Sequence, residues 1–228
     1  MNILTIIGIA VVIIPSITSH EAAHGFAANR LGDPTARQQG RITLNPIPHL
    51  DPMGSVIVPL ILVGLNTGFI FGWAKPVPVD WRNFKHPKRD MAWVAVAGPV
   101  SNLLMALLWA LAARAALGMS ADNWIALPLL FMGVAGIFIN TILMVLNLLP
   151  LPPLDGGRVV TGLLPAPYAY QFARIEPYGF FILVALLVTG VLSIVMWPVV
   201  KLFLQMMASV AGMKPGYLET ILFALMRS

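Results

Sequence analysis

Ser19-His20-Glu21-Ala22-Ala23-His24-Gly25 sits inside a long apolar run from Ile3 to about Ala28. A membrane-spanning helix needs about 20 such residues, so the run is long enough to cross. On a helix, positions i and i+4 share a face, so His20 and His24 can bind one metal ion. Glu21 lies beside them, where it could take a proton from a metal-bound water. Two imidazoles and a carboxylate are costly to bury in a hydrophobic segment, and a membrane helix rarely carries them without a function.

The rest of the chain agrees with a membrane setting. Of 228 residues, 58% are hydrophobic and only 10% charged, against about 25% charged in soluble domains. Mean hydropathy is +0.85. With no cysteine, disulfides and thiolate ligation are excluded, and any metal must be held by His and carboxylate. The net charge of +5 does not imply nucleic acid, because the basic residues sit in loops between apolar runs. The N-terminus lacks a basic n-region and a clear cleavage site, so Ile3 onward reads as mature structure.

Four transmembrane helices are expected: Ile3 to Ala28, Met91 to Leu117, Trp124 to Leu149 and Tyr178 to Val200. Alternation in Arg41-Ile42-Thr43-Leu44, among several prolines, predicts a small extended or β region after the first helix. Gly54 to Phe71 is apolar but interrupted; it either re-enters or spans, and basic loops on both sides favour re-entry. Phe71 to Val79, with Trp73 and paired prolines, is an interfacial anchor or an extended edge able to pair with an unwound strand. Residues 202–228 form two short apolar stretches expected at the interface. The fold class is an all-α polytopic membrane protein. A single membrane-embedded domain over residues 1–228 is expected, with its core at about 3–164.

Loop charges orient the chain. With the basic loops inside, the N-terminus lies outside and the motif helix descends to the cytoplasmic side. The 118–123 connection then faces outside, and it carries no Lys or Arg. Asp155 returns on the same cytoplasmic side as His20 and His24. A third metal ligand is needed. Asp155 stands at a Pro- and Gly-rich break directly after an apolar span, where it is either that ligand or a helix N-cap.

The pieces His20-Glu21-Ala22-Ala23-His24, Ala97-Gly98-Pro99-Val100-Ser101-Asn102, and Asn147-Leu148-Leu149-Pro150 leading to Leu154-Asp155-Gly156-Gly157 resemble the site-2 protease family of intramembrane metalloproteases. The resemblance covers roughly Ile3 to Leu164. It is closest to the compact members, since no PDZ or CBS segment fits in the remaining length. It implies one zinc ion per chain, held by His20, His24 and Asp155, with Glu21 as general base on the zinc water and proton donor to the leaving amine. It implies that Asn147 touches substrate or helps hold the tetrahedral intermediate. Asn102 is a weaker substrate-binding candidate; it and Asn140 read more simply as interhelical hydrogen-bonding residues. The implied substrates are transmembrane segments of membrane proteins within a lipid bilayer of bacterial type, cut near the cytoplasmic face. Oligomeric state is left open. The rival reading is a transporter or ion-pathway protein in which the His/Glu/Asp cluster handles a metal ion or proton, but no repeated halves are visible. A catalytically silent relative is disfavoured by the intact Glu21.

Overall fold

The long apolar runs fold as helices because lipid offers the backbone no hydrogen-bonding partner. The structure, a computed structural model, describes residues 3–65, 72–120 and 122–227. Helix α1 covers Ile3–Leu31 and passes through Pro15. It stops at Gly32, whose φ of 112° lies in the left-handed region. There Asp33 N–H reaches Ala28 O at 2.9 Å and Gly32 N–H reaches Asn29 O at 3.4 Å. This six-to-one and five-to-two pair closes the helix end. A short helix α2, Thr35–Gln38, follows. A π-helical turn at Pro52–Ile57 then runs into α3, Val58–Gly64. Beyond these lie α4, Pro87–Leu117, and α5, Ala126–Asn147. The C-terminal part comprises α6, Asp155–Leu163, α7, Ala166–Ala173, α8, Glu176–Val188, α9, Val191–Val210, and α10, Tyr217–Arg227.

Among the described residues, α4, α5 and α9 are long and apolar enough to cross a membrane. The pair α7 and α8, bent by 60°, is a fourth candidate if it counts as one span. The chain is a multi-pass membrane protein. Helix α4 shows why: Ala106, Ala110 and Ala113 face the core, while Leu104, Leu108 and Leu111 face outward and are also apolar. Water would penalise that outer face; lipid does not. Small residues make the α4–α5 seam close. A Cβ on Gly133 would lie 2.8 Å from Ala113 Cβ, and one on Gly136 would lie 2.2 Å from the Trp109 ring. The same core takes in Leu183 of α8, Val200 and Leu204 of α9, and Leu218 of α10.

Three expectations change. The run Tyr178 to Val200 is not one helix. It breaks at Gly190, which has a φ of 75°, and Thr189 Oγ1 donates back to Ala185 O at 2.7 Å just before the break. Consequently 202–210 belongs to α9, and only α10 is a separate short C-terminal helix. No strand forms among the described residues. In the Arg41 to Leu44 stretch the arginine is inside and the leucine outside: Arg41 is 5% exposed and Leu44 is 74% exposed. Of Gly54 to Phe71, the described part is the π turn and α3, about half the ~20 residues a span needs; residues 66–71 lie outside the described residues.

The end of α1 is tied to the segment that leads into α4 by one buried carboxylate. Asp33 accepts hydrogen bonds from Thr35 N–H and Oγ1, Asp80 N–H and the Asn83 amide. Burial alone would raise its pKa, but these four bonds outweigh burial and hold it below the ordinary aspartate value.

Candidate metal centre

The i, i+4 spacing puts His20 and His24 on the face of α1 that meets α4. Their ring centroids are 4.6 Å apart. The helices can approach there because position 98 carries no side chain: a Cβ on Gly98 would lie 2.5 Å from His24 Nε2 and 2.6 Å from His20 Cε1. Helix α4 also orients both rings. His20 Nδ1 is 2.6 Å from Asn102 Oδ1, and His24 Nδ1 is 2.7 Å from Val94 O.

Asp155 arrives from the far end of α5. After Asn147, the prolines at 150, 152 and 153 end the helix, and α6 begins at Asp155. Two glycines let α6 fold back on that loop. A Cβ on Gly156 would lie 2.3 Å from Leu148 O, and one on Gly157 would lie 2.4 Å from Pro152 N. Asp155 makes no side-chain cap; Leu154 holds the N-cap position. Its Oδ2 instead points at His20 Nε2 at 3.2 Å and His24 Nε2 at 3.3 Å.

The hydrogen-bond network fixes the tautomers. Asn102 Nδ2 donates to Ser16 O and Asn140 Oδ1, so Asn102 Oδ1 is the atom facing His20 and can only accept. Val94 O likewise accepts. Both Nδ1 atoms therefore carry a proton, and both rings turn Nε2, the atom that would bind a metal, inward. The two Nε2 atoms are 3.0 Å apart. Asp155 Oδ2, the third inward atom, is buried without a hydrogen-bond partner. Three candidate ligand atoms thus converge at 6–9% exposure, an arrangement that calls for a cation. Tetrahedral zinc with bonds of about 2.0–2.2 Å keeps its ligand atoms about 3.3 Å apart, and these three sites match it.

Glu21 is half-buried beside the cluster, and its Oε2 accepts Val77 N–H at 2.9 Å. Val77 belongs to Gly72 to Val79, where Trp73 N–H also bonds Gly54 O and Lys75 N–H bonds His49 O. The stretch forms a wall between two cavities. On one side, toward α1 and α5, lies an apolar cavity of about 470 Å³ lined by Ile17, Thr18, Trp73, Ile142 and Leu146. On the other side lies a cavity of about 550 Å³ with Lys88, Arg158, Thr161 and Glu176 on its rim.

The asparagines separate by role. Asn102 is fully buried with both polar atoms bonded within protein, and its Oδ1 supports His20 from behind. Asn140 continues that chain, donating to Ser16 Oγ and Gly136 O. Asn147 is not drawn into the cluster; it is half-buried and donates to Leu143 O on its own helix. Sequence reasoning missed Ser16, Val94 and Val77. The Val94 carbonyl and the lone N–H between two prolines meet partners 70 and 56 residues away.

Residues 110–190, which include α5 and Asp155 but not the histidines, match the model of peptidase family M50. Over 195 residues the chain is 40% identical to "Putative zinc metalloprotease YwhC" of Bacillus subtilis strain 168, covering 85% of each protein. The chain belongs to peptidase family M50. It is also 31% identical over 196 residues to Rip2 of Mycolicibacterium smegmatis, named in the same words, covering 83% of this chain and 71% of Rip2. No solved structure matches. Membership in M50 bears out the resemblance to site-2 proteases and makes the chain a metalloprotease.

Proposed function

We propose that this M50 member is a zinc-dependent intramembrane endopeptidase that cleaves transmembrane segments near the cytoplasmic face. The observation that carries the reading is the convergence of His20 Nε2, His24 Nε2 and Asp155 Oδ2, 3.0 to 3.3 Å from one another, among apolar helices. His20, His24 and Asp155 would hold one zinc ion per chain. Zinc bound there supplies Lewis-acid polarisation of the scissile carbonyl and lowers the pKa of a water to near neutrality.

The chain's own groups do the rest. Glu21, steadied at Oε2 by Val77 N–H, takes the proton of the attacking water and delivers it to the leaving amine. The α1/α5 cavity accepts apolar side chains of a locally unwound substrate. Asn147, at the end of α5 and next in the chain to Leu146 of that cavity, would meet substrate backbone. Water enters from the polar-rimmed cavity across the Gly72–Val79 wall. Asn102 and Asn140 position His20 and do not touch substrate. The whole chain acts as one domain, with α1 as a further span and the N-terminus outside. Arg30, Arg37 and Arg41 after α1, and Lys75, Arg82, Lys85, Lys88 and Arg89 before and within the first turn of α4, support a cytoplasmic active site.

The test is cleavage of a membrane-embedded reporter by the unsubstituted protein and by Glu21→Gln. Zinc content should be equal in the two, with cleavage lost in the variant. Continued cleavage by Glu21→Gln would sink the assignment of Glu21.

A further inference from the structure

We infer that Arg41 is a positioning residue for Glu21, acting through the Pro76–Val77 peptide; this rests on Glu21 being the proton carrier. Arg41 is buried, at 5% exposure. It forms no ion pair among the described residues. Its guanidinium instead donates from a single nitrogen, Nη2, to two carbonyls, Lys75 O at 2.7 Å and Pro76 O at 3.3 Å. The next N–H along, that of Val77, donates to Glu21 Oε2 at 2.9 Å. Pro76 C=O and Val77 N–H belong to one planar peptide unit. That unit is held at its oxygen by a cation and at its nitrogen by the carboxylate.

Two consequences follow from this sandwich. A charge-assisted bond to the oxygen polarises the peptide and strengthens its N–H as a donor. It also fixes which way the plane faces. Pro76 and Pro78 have no N–H of their own, so Val77 supplies the one backbone donor between positions 76 and 78. If the plane rotated, Glu21 would have no replacement from either neighbour. The surroundings hold both ends of the relay. Lys75 N–H is anchored on His49 O at 2.9 Å. Gly25, one residue past His24, lets the Ile42 and Val77 side chains sit on α1: a Cβ there would lie 3.2 Å from Ile42 Cγ1 and 3.3 Å from Val77 Cγ1. Arg41 Nη2 bonds the Lys75 carbonyl and, at longer range, the carbonyl of the peptide that touches Glu21, while its Nε is buried without a hydrogen-bond partner.

The experiment compares Arg41→Met, which keeps bulk but not donors, with Arg41→Lys, whose ammonium can reach both carbonyls. Each full-length variant is purified in detergent and measured for zinc content, melting temperature, kcat and KM on the membrane-embedded reporter, beside Glu21→Gln. Arg41→Met should lower kcat by about 10- to 100-fold, the cost of slight misplacement of a reacting group, with KM, zinc content and melting temperature unchanged. Arg41→Lys should recover most of the lost kcat. The inference is overturned if Arg41→Met keeps kcat within about threefold, if it loses zinc or melts early, or if Arg41→Lys is no better. An inert Glu21→Gln beside an active Arg41→Met defeats only this inference. Cleavage by Glu21→Gln defeats the underlying role of Glu21 itself.

Discussion

His20 is held from both ends of its ring, and each end makes a separate prediction. Behind it, Asn102 Oδ1 takes the Nδ1 proton, which orients the ring and fixes its tautomer. Replacing Asn102 with Leu leaves that N–H buried without an acceptor and takes a donor from Asn140. Zinc affinity, measured by chelator competition, should fall by about 10- to 100-fold, the usual result of losing such a partner. In front of it, Gly98 leaves room for the metal side of both rings. Gly98→Ala puts a methyl 2.5 Å from His24 Nε2, where it must displace a ligand. Alanine favours a helix by up to ~1 kcal/mol over glycine, so helicity by circular dichroism should hold while bound zinc is lost. Retained zinc would show that α1 can move away from α4 at little cost.

At the scale of elements, the join between the end of α1 and the segment leading into α4 depends on the Asp33 carboxylate. Its native pKa lies below the ordinary value of 3.8 because hydrogen bonds to its charged form outweigh burial. The stabilisation is therefore complete above the unfolded-state value and is lost as pH falls through the lower native one. The difference in melting temperature between the unsubstituted protein and Asp33→Asn should be constant near neutrality and shrink below about pH 4. A difference independent of pH would mean the carboxylate is not the joint. The elements also show what a sequence can and cannot disclose. The histidine pair was legible because i, i+4 spacing is local. Asp155 was legible because few acids compete and prolines mark its break. The Gly190 break was not, since a lone glycine in an apolar run reads as tolerated within a helix. Of the expected extended or β region, no strand forms among the described residues: Arg41, which alternation assigns to the water side, turns inward to carbonyls 34 and 35 residues away.

For the whole molecule, two contacts orient the C-terminal part against the rest. Gly179 at the start of α8 abuts Pro152, beside the Asp155 loop. Arg114 near the end of α4 donates to Val210 O at the end of α9, at 3.2 Å. Taken together, α8 and α9 therefore run from the Asp155 end of the bundle to the opposite end, despite the turn at Gly190. With basic loops at the Asp155 end, single cysteines test the orientation in intact cells. An impermeant thiol reagent should label Ser120→Cys, between α4 and α5, and spare Lys85→Cys before α4. The reverse pattern would put the metal centre on the outer side.

The close α4–α5 seam also acts as a ruler. Helix α4 carries the atoms that aim both histidines, Val94 O and Asn102 Oδ1, and α5 leads into the turn that delivers Asp155. With Gly133 and Gly136 already in contact across the seam, the span between the two halves of the centre is set by helix-to-helix contact rather than by loop length. Changes of length in the segment between α1 and α4 should therefore disturb the spacing of the three ligand atoms less than a side chain added at the seam does.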